Sequence, residues 1–447
     1  MKSSRGEERT ASVGLDTGVV RSCSVDGASV RSFLHALPQP RVGWADATTT
    51  IAAGGETAVL RAEGSDRFES IQSQARTLFD KLETDDSLPT GARPRLYGGF
   101  AFTDTHRDSS AGLWHGYPAG KFVLPAVQCT VTADGTWLTT TATGPGARQT
   151  AADRLERWHN RIESLPELTP AAPPGFGERQ YTPSRADWRE RIETATDRIQ
   201  AGAIQKVVLA QSLQVALAGP LSVEDALARL GEIYPGCHRF LFDPEDGGAF
   251  FGATPERLVT LRGQTVDTEA LAGSIGRGDR PDEDDWLANQ LQQSEKDSHE
   301  HQLVVDAIRE QLSPLTSEIH EGERSVRRLA NVQHLRTPIR ATLTQDRHVL
   351  SLVEALHPTP AVGGRPPGEA LRTISETETF DRGWYAAPIG WFDADGDGTF
   401  AVAIRSAITK DDQATLFAGA GIVADSDPDE EWDELQLKYR PILDELA

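Results

Sequence analysis

The stretch LFAGAGIVADSDPDEEWDELQLK, residues 416–438, decides between two architectures. Its first half is apolar and strand-like, and Gly419-Ala420-Gly421-Ile422-Val423-Ala424 fits the GxGxxA pattern that opens a dinucleotide-binding βα unit. The second half refuses that reading. Asp425, Asp427, Asp429, Glu430 and Glu431 follow where a pyrophosphate would be repelled, and the sequence stops before a second βα unit. Asp427, Pro428 and Glu430 instead supply the N-cap, first-turn proline and capping acid of a helix over Pro428–Leu446.

The pattern upstream agrees with an α+β chain. Strand-like runs fall at Thr57–Ala62, Leu96–Phe102, Phe122–Ala133, Thr136–Thr143, Lys206–Val215, Arg239–Asp243, Ala249–Ala253, Leu258–Arg262, Gly390–Phe392, Thr399–Ala407 and Ala414–Ala418. Helices are predicted at Phe68–Leu82, Ala147–Leu165, from Ser184 to Gly202, at Ser222–Ile233, Glu295–Leu312 and Gly368–Ser375. Grouped strands with interspersed helices predict large antiparallel sheets, not a regular βαβ alternation. The first forty residues are polar and weakly periodic. A Pro/Gly-rich run over 166–181 resists helix and sheet, and reads as a connector between an N-terminal α+β part (1–165) and the remainder (182–447).

The 447 residues carry 45 Lys+Arg against 67 Asp+Glu, a net charge of −22. That balance argues against nucleic acid or an anionic membrane as partner. No run approaches the roughly 18 apolar residues of a membrane span, and MKSSRGEERTASVG has no apolar stretch of signal-peptide length. A cytoplasmic protein is expected. Cys23, Cys129 and Cys237 lie far apart with no CxxC, which supports neither a disulfide framework nor a structural zinc site. Only seven lysines accompany 38 arginines. An acidic, lysine-poor surface is the kind that tolerates concentrated salt, so a halophilic habitat is expected. The scarcity also makes any lysine inside a patterned segment stand out.

Two helix starts carry clustered carboxylates. After Ser294, Asp297 and Glu300 extend the apolar stripe Leu303, Val304, Ala307, Ile308 and Leu312 toward the helix N-terminus. Asp297 is equally explained as the acid of a capping box with Ser294; Glu300, on the core-facing side, requires a partner or a metal. In the last helix Glu431, Glu434 and Lys438 share a face with Leu435 and Ile442, although Glu434–Lys438 also reads as a plain i,i+4 surface pair. Four acids from two helix starts form a hard-oxygen set suited to Mg²⁺. His299-Glu300-His301 lacks the spacing of a zinc motif. Asp393, Asp395 and Asp397 resemble the start of a calcium loop, but Ile404 stands where its bidentate glutamate belongs, so a polar hairpin turn is expected.

Read together, KVVLAQ (206–211), FFGATPERLV (250–259), EALAGSIGRG (269–278), SEKDSHEHQLVVDAI (294–308), VQHLRTPI (332–339), LHPTPAVGG (356–364), WYAAPIGWF (384–392), VAIRSA (402–407) and residues 416–438 resemble the chorismate-utilising enzymes. YGGFAF (97–102) adds an N-terminal match. The family comprises isochorismate synthases, salicylate synthases, anthranilate synthase large subunits and aminodeoxychorismate synthases. The resemblance implies one α+β unit of two large antiparallel sheets with helices outside, and makes 182–447 the chorismate-binding catalytic region.

The same resemblance implies chorismate as substrate and a set of roles. Lys206 matches the family's base and Glu256 its acid. For Lys206, burial beside Val208 and Ala210 would favour the neutral amine, while pattern alone equally allows an edge-strand lysine. For Glu256, after Pro255 in an apolar segment, desolvation would favour the protonated acid; a Glu256–Arg257 surface turn is the plainer alternative. Glu300 and Glu431 match Mg²⁺ ligands, with Asp297 and Glu434 assisting directly or through water. Arg405 matches a grip on the pyruvyl carboxylate, helped by Tyr385 and the backbone at Gly419 and Gly421, with Lys438 near the metal end. Gly273, Ser274 and His334 fall in ring-contacting motifs. Lys206 points to water and not ammonia as nucleophile, so no obligatory amidotransferase is expected. Ala361 stands where salicylate synthases tend to carry threonine, which points to a reaction that stops at isochorismate. The expected activity is therefore isochorismate synthase of the menaquinone type, with salicylate synthase, an aminating enzyme and, last, a non-catalytic chorismate-binding paralogue as alternatives.

Overall fold

One strand, Gly120–Thr132, is where the architecture divides. Its residues are buried along almost its whole length, as a strand covered on both faces must be. One edge pairs with Thr49–Ala62 throughout. The opposite edge is shared: Gly120–Val123 lies against Arg95–Phe100, and Val127–Thr132 against Gly135–Thr143. The computed structural model describes residues 17–27, 29–84, 88–106 and 112–447.

Two antiparallel arms grow from this fork. The first continues from Thr49–Ala62 through Arg41–Ala45, His238–Asp243, Ala249–Thr254, Ser406–Lys410 and Gln413–Ile422 to Lys206–Leu217. The second runs from Arg95–Phe100 through Pro388–Asp393, Gly398–Val402, Arg257–Arg262 and Thr265–Gly276 to Val332–Leu343. The α+β class with large antiparallel sheets is thus observed, with ten α-helices among the described residues. Parts of 1–165 and 182–447 are neighbours in both arms: 41–45 pairs with 239–243, and 95–99 with 389–393. One apolar cluster holds residues from both parts.

Local chemistry places the helices that matter for the site. Ser184, Ser294 and Asp427 cap Arg185–Gln200, Glu295–Leu312 and Pro428–Leu443 with side-chain oxygens, as their sequences predict. Asp393–Asp397 is the expected turn between Pro388–Asp393 and Gly398–Val402. The connector differs from expectation. Phe176–Thr182 is a strand, because FGERQYT carries no proline and its end pairs with Ser212–Val215.

A second difference bears directly on function. The predicted strand Thr399–Ala407 is two strands, Gly398–Val402 in the second arm and Ser406–Lys410 in the first. The chain crosses between arms at Ala403-Ile404-Arg405. It crosses again at Pro255-Glu256, between Ala249–Thr254 and Arg257–Arg262. The crossings are bonded to each other: Val402 N donates to Glu256 O at 3.0 Å, and Ala253 N to Arg405 O at 3.1 Å.

The fork leaves no room for a side chain at Gly98, where a Cβ would lie 1.8 Å from the Lys121 carbonyl oxygen. Gly98→Ala must push Arg95–Phe100 off its neighbour, a cost of about 1–3 kcal/mol. Thermal unfolding is expected to show Tm lowered by several degrees; an unchanged Tm would contradict the close approach.

Candidate active site

All fifteen residues singled out from sequence line one cavity of about 520 Å³. Strand pairing brings the first group together. Lys206 opens Lys206–Leu217, and the neighbouring strand places Gly421 opposite Val208 and Gly419 opposite Ala210. A Cβ on Gly421 would stand 2.8 Å from Lys206 Cε, so glycine is what leaves space for the buried amine. Lys206 is 2% exposed, which excludes the exposed edge-lysine reading, and its Nζ donates to Glu300 Oε1 at 2.6 Å. On the other side Lys438 Nζ donates to Gly419 O at 2.7 Å and pairs with Glu434 at 2.7 Å. The i,i+4 pair, for which the sequence left a plain surface pair as the alternative, is therefore part of the cavity wall.

Glu256 and Arg405 come from the two crossings between the arms. Both are buried, which rules out the surface-turn reading of Glu256. Burial, with the Glu269 charge behind it, pushes the Glu256 carboxyl up to about 7, against the opposing pull of Lys206. Thr359 Oγ1 donates to Glu256 Oε1 at 3.4 Å. Among the described residues no hydrogen bond or ion pair joins Glu256 to Lys206, although both line the cavity. Arg405 has φ of +52°, in the left-handed region that disfavours a side chain, at a cost on the order of 1–3 kcal/mol. Burial draws its guanidinium below the ordinary value. Among the described residues no carboxylate forms an ion pair with it, although the charge of Glu434 favours its protonated form.

Gly273 and Ser274 lie at a bulge, where the register between Thr265–Gly276 and Val332–Leu343 shifts. Gly273 has φ of +73°, and a Cβ there would press on Asp297 at 3.2 Å. His334 Nδ1 lies 2.9 Å from Ser274 Oγ and 3.3 Å from Gly273 O, and its buried Nε2 has no partner. Burial and the charges of Arg405 and Lys438 bring its pKa down to about 3, so the ring is neutral. Tyr385 stacks on Phe417 with ring centroids 5.1 Å apart, just before Ala386 at φ +58°. Ala361 contributes from the loop after Thr359.

The four acids face the same space from two helices. Burial, then repulsion by Glu434, pushes Glu431 up to about 7, and its buried Oε2 has no hydrogen-bond partner. Burial and the charges of Glu300 and Glu434 also raise Asp297. Glu434 is held low against burial by Lys438. Among the described residues no three acidic, His or Cys side chains already stand together as a metal-binding group. Contributors that sequence reasoning missed include Lys296, Arg382 and Ala386 in this wall, and Thr359 behind Glu256. Lysine scarcity carried a signal for the first, since three of the seven lysines line this cavity.

A family model described as chorismate binding enzyme matches residues 17–447. The chain is 35% identical to isochorismate synthase MenF of Bacillus subtilis over 91% of its length and 88% of that protein's. It is also 35% identical to the salicylate biosynthesis isochorismate synthase of Pseudomonas aeruginosa, over 91% and 85%. Among solved structures it is similar to MenF, the menaquinone-specific isochorismate synthase of Escherichia coli, with a TM-score of 0.80, 26% identity and coverage of 97% and 96%. Anthranilate synthase component I of Streptococcus pneumoniae shares the fold, with a TM-score of 0.72 at 22% identity and coverage of 88% and 91%. No helix among the described residues is long and apolar enough to cross a membrane.

Arg405 combines a left-handed backbone with a side chain that forms no ion pair among the described residues. Arg405→Gly relaxes the backbone and removes no ion pair, so it is expected to melt no lower than the wild type while losing affinity for a carboxylate substrate. A melt several degrees lower would show that the side chain holds the fold together.

Proposed function

Since the chain belongs to the chorismate binding enzymes, we propose that it converts chorismate to isochorismate. Water adds at C2, the double bonds shift, and the C4 hydroxyl leaves as water, so one water enters for each that departs. Lys206 accepts a proton from the incoming water, and Glu256 delivers one to the departing hydroxyl. The observation that carries this reading is a buried carboxyl pushed up to about 7 in the same cavity as a buried amine, with no bond between them. An acid near neutrality can hold a proton and give it up.

Arg405 takes the pyruvyl carboxylate through its planar fork, with Tyr385 and the backbone at Gly419 and Gly421 alongside. Gly273, Ser274 and His334 border the ring, and the neutral imidazole avoids adding charge there. Mg²⁺ fits the acid-rich end, because Glu431 Oε2 is buried and unpartnered and the donors are all hard oxygens. Glu300 and Glu431 would hold it, with Asp297 and Glu434 bound directly or through water and Lys438 beside them. When bound it supplies positive charge for the ring carboxylate and engages acids that otherwise pair with Lys206 and Lys438. The menaquinone-type assignment is supported by likeness to relatives of that name.

Incubation with chorismate and Mg²⁺, without ammonia, followed by separation of products tests the proposal. Isochorismate is expected, with turnover reduced at least about 100-fold in Lys206→Ala. Salicylate plus pyruvate would replace the assignment by salicylate synthase. Turnover only with an amidotransferase and ammonia would replace it by an aminating enzyme.

A further inference from the structure

Lys206–Leu217 has a gap in its outer edge. Gly364–Arg365 pairs with Val207 and Lys206 at one end, and Phe176–Thr182 pairs with Ser212–Leu217 at the other. Between them, the Val208 carbonyl and the Ala210 N–H face no strand. Two side chains stand in for one. Arg382 Nη2 donates to Val208 O at 2.7 Å, and Ala210 N donates to Glu378 Oε1 at 2.8 Å. Arg382 and Glu378 are bound to each other through both carboxylate oxygens, at 2.8 and 2.5 Å, and both are almost fully buried.

The pair also reaches two other walls of the cavity. Arg382 Nη1 donates to Val362 O at 2.9 Å, next to Ala361, and the Arg382 carbonyl accepts from Tyr385 N at 2.9 Å. Its guanidinium lies 4.3 Å from the centre of the Phe102 ring, which fixes its plane. A buried ion pair is a poor way to gain stability, because desolvation cancels much of the attraction. Its retention here has a geometric reason: a planar fork and a carboxylate satisfy three backbone groups from two segments at once, Val208 O and Ala210 N on the strand and Val362 O on the loop.

We propose that Glu378 and Arg382 are positioning residues that set the register between the strand start bearing Lys206, the Ala361 loop and Tyr385. They act through those neighbours and not on the substrate. The inference rests on the isochorismate synthase reading, because it needs a reaction whose rate reports the placement of Lys206.

The test compares wild type, Glu378→Asp and Glu378→Gln in full-length enzyme with chorismate and Mg²⁺, each assayed below its own melting transition. The aspartate keeps the charge and shortens the reach; the glutamine keeps the reach and loses the charge. Misplacement by about 1 Å costs up to about 100-fold in rate. Glu378→Asp is therefore expected to lower kcat at least tenfold with KM within twofold, and Glu378→Gln, which keeps an acceptor for Ala210 N, to lose less. A lower Tm with kcat at the wild-type level in either variant would overturn the inference and leave the pair a structural brace. Loss confined to KM would also overturn it, since it would place the pair in substrate binding. Failure of the wild type itself to make isochorismate would instead overturn the functional reading.

Discussion

Two backbone hydrogen bonds, Val402 N to Glu256 O and Ala253 N to Arg405 O, tie together the points where the chain passes from one sheet arm to the other. Ladder pairing cannot continue through a change of sheet, so these residues leave regular strand geometry and turn their side chains to the space between the arms. The bonds answer the loss of ladder partners at both points. They also fix Glu256 and Arg405 relative to each other through the backbone, independently of any substrate. The left-handed conformation of Arg405 belongs to the same arrangement, with strain concentrated where a charge must be aimed.

Charge explains the rest of the site. In a chain of net charge −22, this cavity sets Lys206, Lys296, Arg382, Arg405 and Lys438 beside seven carboxylates. Lys206 and Lys438 are occupied by Glu300 and Glu434, whereas among the described residues Arg405 forms no ion pair with a carboxylate. Burial and the charge of Glu434 raise both Glu431 and Asp297, and Glu300 adds to the shift of Asp297. Excess acid at one end and an unpaired guanidinium nearby make a cavity that calls for a cation and an anionic ligand together. Glycines at 421, 419 and 273 are what keep the space open, since a methyl group at each would press on Lys206, Tyr385 or Asp297.

Much of this was legible in the residues. Capping oxygens at Ser294 and Asp427 located both acid-bearing helices to within a few residues, because a cap is a local interaction that sequence records directly. Alternation marked Lys206–Leu217. Motif likeness, and not periodicity, gathered Glu256, His334, Ala361 and Arg405 into one set. Periodicity misread 399–407 as one strand, since an apolar run is continuous across Ala403-Ile404 whichever sheet receives it. The strands Thr265–Gly276 and Val332–Leu343 were not recognised as strands from pattern, for the first is rich in Ala, Gly and Thr and the second contains Pro338 among arginines. Nor could the gap filled by Glu378 and Arg382 be read from local sequence, because it exists only once two separate strands have taken their places on one edge.

On the proposed reading, a buried, proton-bearing Glu256 serves as the acid opposite Lys206. Its carboxyl near 7 must be protonated to act, so the active fraction is full well below that pH and declines as pH rises through it. The most direct measurement is kcat/KM for chorismate across pH 6–9 at fixed Mg²⁺ and ionic strength. An alkaline limb with an apparent pKa of about 7 is expected for the wild type, and it is expected to be absent from the residual activity of Glu256→Gln. A profile flat through pH 6–9, or a limb unchanged in Glu256→Gln, would contradict it.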